Sequence, residues 1–113
     1  MKRTDEMQGR RLPDVALRDH YKVMEAMQPG DFVRITDYPG PLPDSNLTGE
    51  VWFVMTPNGL PGNLGGHTVR EEDDGSISVN PGDGSSNSIL VSGGSDGKTW
   101  HGYITRGLWW SLA

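Results

Sequence analysis

The stretch SILVSGGSDGKTWHGYITRGLWWSL, residues 88–112, divides into three apolar runs separated by glycine-containing breaks. Ile89 and Val91 alternate in the first run, Trp100 and Ile104 in the second, and Trp109 or Trp110 supplies the third. A period of two sends neighbouring side chains to opposite faces, so each run reads as a strand with one buried side. The breaks, around Gly93–Gly97 and at Arg106-Gly107, carry the residue types that tight turns accept. Antiparallel β structure is the consequence.

Working upstream, GEVWFVMT (49–56) is a nearly continuous β-branched and aromatic run, as expected of a central strand covered on both faces. DFVRITD (31–37) alternates, and the segments around Val69 and Ile77 flank Asp73-Asp74-Gly75, a hairpin signal. YPGPLPDSN (38–46), PNGLPGNLGG (57–66) and PGDGSSN (81–87) are connections rich in turn formers. Only LPDVALRDHYKVMEAMQPG (12–30) has helical spacing, with Leu17, Tyr21, Met24 and Met27 in one stripe and Gln28-Pro29-Gly30 as its stop. The pattern predicts a mainly β fold with one N-terminal helix: a small antiparallel β-sandwich or open barrel of six to seven short strands. The expected organisation is a flexible basic tail over 1–12 and a single domain over 13–113, with its helix at about 13–28 and its strands at about 31–112. Val51, Phe53, Trp100, Ile104 and one of Trp109 or Trp110 are the expected large core residues.

A length of 113 residues suits one core. Without cysteine there is no disulfide or thiolate metal site, and the three histidines lack metal-ligand spacing, so no metal and no cofactor is implied. The formal net charge is −5, and Lys2, Arg3, Arg10 and Arg11 all lie near the start, which leaves the remainder still more acidic. An acidic body repels phosphate backbones, which argues against nucleic acid as a partner. No apolar run reaches the length of about 18–20 residues that a membrane span needs. The expectation is a soluble cytoplasmic protein.

Strand parity singles out two polar side chains. If Ile89, Val91, Trp100 and Ile104 face the core, Ser88 and His101 share the outward face. A two-residue turn at Gly94-Ser95 would set them directly opposite, about 4.5–5.5 Å apart at Cβ, and a four-residue Gly94–Gly97 loop would make them diagonal neighbours at about 7–8 Å. A turn at Asp96-Gly97 would separate them altogether. A serine touching a neutral imidazole can lose its proton as it attacks a carbonyl, with Asp83 or Asp96 as the group that orients the ring. The competing use of this face is recognition, through Tyr103, Asn87 and one of Trp109 or Trp110.

The order GSISVNPGDGSSNSIL, a glycine-rich gap, WHGYI and then GLWW resembles small bacterial and phage proteins of unknown function that carry a Pro-Ser-Ile strand end followed by a His-Gly-Tyr or Ser-His-Tyr segment. That group is similar to the BubE proteins of bacterial ubiquitin-like operons, for which a serine peptidase role is suggested. The resemblance covers about residues 49–112 and implies Ser88 as nucleophile and His101 as base. Asn87 stands where the pattern has proline, and the cysteine-rich segment of many cellular relatives is missing. The implied protein is of the phage type, in the host cytoplasm or associated with the virion. Three functions remain open: an accessory or binding protein with a protein or peptide partner, a Ser-His hydrolase acting on a peptide or isopeptide bond, and a minor virion component. Oligomeric state is left open too.

Overall fold

In the computed structural model, which describes residues 3–37, 51–64, 67, 69–79, 88–93 and 97–112, the period-two runs are strands and the chain is mainly β with one short helix. The elements in order are β1 (Arg3–Gln8), β2 (Arg10–Arg11), α1 (His20–Ala26), β3 (Asp31–Ile35), β4 (Val51–Met55), β5 (Pro61–Asn63), β6 (Arg70–Glu71), β7 (Ile77–Ser78), β8 (Ile89–Gly93), β9 (Lys98–Thr105) and β10 (Leu108–Leu112). These ten described strands exceed the expected six or seven by β1, too polar to show a buried face, and by β2 and β5, which have only two and three residues. Such lengths carry no readable alternation.

Two four-stranded sheets, ordered β1-β10-β9-β8 and β2-β3-β4-β5, share one core. Phe32, Trp52 and Val54 enter it from the second sheet, and Ile89, Val91, Trp100, Ile104 and Trp109 from the first. β4 is buried on both faces, as its composition requires. Its other face, with β3, is covered by the helix: Val33, Ile35, Val51 and Met27 are buried there, while Phe53, expected in the core, is only partly buried and packs its ring 5.5 Å from His20. The β6-β7 hairpin closes with Asp73-Asp74-Gly75 as its loop, Gly75 adopting φ 85°.

The N-terminal segment is not a tail. β1 pairs with β10 from Arg3↔Leu112 to Gln8↔Leu108, with Glu6 as the extra residue of a bulge. The chain then crosses at Gly9 to the other sheet, where β2 runs parallel to β3. Buried Asp31 fixes this crossing, accepting two hydrogen bonds from Arg10 at 3.1 and 2.8 Å and one from the Gln28 amide at 2.9 Å. The helix is shorter than its pattern. Val15 bridges Ile35 in parallel and exchanges backbone bonds with Arg34 and Thr36, which holds residues 12–15 extended; a 3-10 turn at Leu17–Asp19 then leads into α1. Tyr21, expected in the buried stripe, is 53% exposed. Among the described residues no helix is long and apolar enough to cross a membrane.

Candidate functional site

The β8–β9 register decides how Ser88 and His101 stand. Gly93 pairs with Lys98, Val91 with Trp100 and Leu90 with His101, so the connection is the four-residue one, 94–97. Continued one step, this register sets Ser88 across from Tyr103 and diagonal to His101, a separation of about 7–8 Å. No hydrogen bond joins the two side chains among the described residues. Parity does hold: Ile89 and Val91 are buried, as are Trp100 and Ile104, while His101 is exposed and Ser88 half-buried. They share the outward face without meeting. Asp83, Asp96 and Asn87, the expected orienting and binding residues, lie outside the described residues.

What the face assembles is aromatic. Tyr103 and Trp110 are cross-strand partners whose rings stack with centroids 4.3 Å apart and planes 20° from parallel. The Arg3 guanidinium lies 4.4 Å from the Trp110 ring centroid and is paired with Asp5 at 2.7 Å. Trp110 is further fixed by its indole N–H, donated to Thr105 Oγ1 at 3.0 Å. Beside this stack Leu90 is 63% and Leu112 43% exposed, although both are large apolar side chains. Trp109, the other half of the expected pair, belongs to the core: it is fully buried, donates its indole N–H to the Gly30 carbonyl at 2.9 Å and meets Trp100 edge-on at 5.1 Å. Adjacent strand residues point to opposite sides, so one tryptophan had to be inside.

Sequence reasoning missed Arg3, Leu90 and Leu112. Arg3 lies in the basic stretch that reads as a tail. Leu90 was placeable on the outward face by parity alone, and nothing in its own type marks it as exposed.

Concave surface lies elsewhere among the described residues. Clefts of ≈ 440 Å³ flank α1, one lined by His20, Tyr21, Met24, Phe53 and Pro61 among others, the second by Arg10, Leu12, Asp14, Val15 and Lys22 among others. In the first, His20 Nδ1 lies 2.6 Å from the Leu17 carbonyl oxygen. A carbonyl oxygen only accepts, so Nδ1 is the donor in this contact. At the far end of the core, Arg11 and Arg34 bracket Asp14 and Glu71 and lie over the buried Trp52 ring at 5.0 and 6.0 Å. Burial opposes the charge on Asp14, yet the hydrogen bonds from Arg34 and Arg11 outweigh it and hold its carboxyl below the usual range. This arrangement is internally neutralised and serves as a lid on Trp52. Among the described residues no cluster of three or more histidine, aspartate or glutamate side chains is placed to hold a metal ion. Comparison with protein-family models, with curated proteins and with solved structures finds no match to this chain.

Proposed function

We propose that this chain is a small accessory or binding protein of the phage type, whose recognition surface is the outward face of the β1-β10-β9-β8 sheet. The observation that carries the reading is the Tyr103–Trp110 stack, fixed on one side by Arg3 and bordered by exposed Leu90 and Leu112. Rings held by stacking lose little conformational freedom on contact and contribute large apolar area, which is why aromatic anchors dominate protein interfaces. Ser88 and His101 supply polar groups at the margin of the patch. A protein or peptide suits it better than a small substrate, which needs a cavity that encloses it. Hydrolysis would instead need the serine hydroxyl within hydrogen-bond reach of the imidazole.

The test compares affinity capture by the wild-type chain and by Tyr103→Ala from cells that carry the gene, with circular dichroism to verify folding. The expected result is a retained protein whose binding Tyr103→Ala weakens by about 30-fold or more, the effect of removing an interface anchor. Covalent labelling of the folded chain by a fluorophosphonate, abolished in Ser88→Ala, would overturn this reading in favour of a hydrolase.

A further inference from the structure

Four strands border the two sheets: β1 and β8 in one, β2 and β5 in the other. A border strand presents unpaired N–H and C=O groups, and chains that remain apart blunt such edges with charge, proline or brevity. β1 carries Arg3, Asp5 and Glu6; β2 consists of two arginines; β5 has three residues and begins with Pro61. β8 has none of these devices. It is Ile89-Leu90-Val91-Ser92-Gly93, uncharged and free of proline, and carries the most exposed large apolar side chain among the described residues.

The orientation of its backbone follows from the next turn. Arg106 and Gly107, with φ of 46° and 79°, form a two-residue turn between β9 and β10, so Thr105 and Leu108 close it as a hydrogen-bonded pair. Alternation then directs the backbone groups of Tyr103 and His101 toward β10, and those of Trp100, Gly102 and Ile104 toward the opposite side. The bond from the Val79 amide to the Ile104 carbonyl, 2.9 Å, agrees independently. Ile89 and Val91, opposite Gly102 and Trp100, therefore bond to β9, while Leu90 and Ser92 aim their N–H and C=O groups out of the sheet. Among the described residues no backbone hydrogen bond reaches those groups.

We infer that β8 is a self-association edge: two copies of this chain pair β8 with β8, antiparallel about a two-fold axis at Leu90, and join their four-stranded sheets into one of eight. A second copy is the occupant because the edge is complementary to itself. In this register Leu90 meets its counterpart and is buried by it, and Ser88 of each copy stands opposite Ser92 of the other, so outward donors face acceptors. The uncharged strand also lets a chain of net charge −5 meet itself with no like charges opposed across the seam.

The experiment is sedimentation of wild type and Ser92→Pro over a wide concentration range, together with amide hydrogen exchange of the wild type. Proline at 92 removes an N–H that β9 does not use, so the fold keeps its ladder while the edge loses a donor. The expected wild type is a dimer that dissociates on dilution, Ser92→Pro weakens dimerisation by about tenfold or more, and the Leu90 and Ser92 amides exchange about tenfold more slowly in the dimer than in the monomer. Tyr103→Ala, which leaves the β8 backbone intact, still dimerises, so loss of recognition and loss of self-association are read separately. A wild type that stays monomeric throughout overturns the inference. So does a dimer whose Leu90 and Ser92 amides exchange as fast as in the monomer, a result that needs no variant to fold.

Discussion

Gly9 stands where the chain leaves one sheet for the other, and three groups converge on it. A Cβ there would lie 2.7 Å from the Gly30 carbonyl oxygen, 2.8 Å from Trp109 Nε1 and 2.9 Å from the Gly107 carbonyl oxygen. Two of these are backbone and the third is a fully buried ring, so none can yield without moving the core. The same Gly30 carbonyl accepts the Trp109 indole N–H, and the Gly9 amide donates to Gly107 at 2.6 Å. Gly9→Ala is therefore expected to cost about 1–3 kcal/mol, the usual penalty of overpacking, as a lowered urea midpoint with unchanged slope. Gly59 offers the contrast in space, since nothing lies within 4 Å of a Cβ built on it; its φ of 86° leaves backbone strain as the penalty there.

Among the elements, the β6-β7 hairpin is stitched by one carboxylate. Glu72 accepts a hydrogen bond from Ser78 Oγ at 2.5 Å and another from Arg70 at 3.0 Å, and these hold its carboxyl below the ordinary glutamate value. A lowered folded-state value means that the ionised carboxylate stabilises the fold above the unfolded value, and that this contribution is lost as pH falls through the folded one. Glu72→Gln should thus melt below wild type at neutral pH, with the gap narrowing in acid; a gap independent of pH would contradict the assignment. This hairpin was legible because Asp-Asp-Gly dictates its turn locally. The start of α1 was not: its helical spacing begins at Pro13, yet the parallel bridge from Val15 to Ile35 holds that stretch extended, a tertiary contact that no local pattern records. Met27, just past the end of α1, is buried as its place in the stripe predicts, but Tyr21 is exposed, because His20 rather than Tyr21 meets Phe53. In the candidate site, parity placed Ser88 and His101 on one face, but the loop that set their spacing was one of three acceptable turns. Residue types alone could not choose among them.

For the whole molecule, the pairing that sequence left invisible is the one that closes the first sheet. β1 has no apolar alternation to read, because it is exposed along nearly its whole length and only Met7 turns toward the core. Removing residues 1–8 should leave β10 as a bare edge, deprive Trp100 of its contact with Glu6 at 3.2 Å, and lower the urea midpoint with concentration-dependent aggregation above that of the full chain. Size-exclusion profiles over a dilution series would detect it. Arg3 meets Leu112, so about a hundred residues must be added after β1 before its partner strand exists. At cellular synthesis rates that delay is roughly 5–20 s. Through that interval the hydrophilic β1 stands unpaired in water it tolerates, and a segment made well before its partner is among the last to be secured.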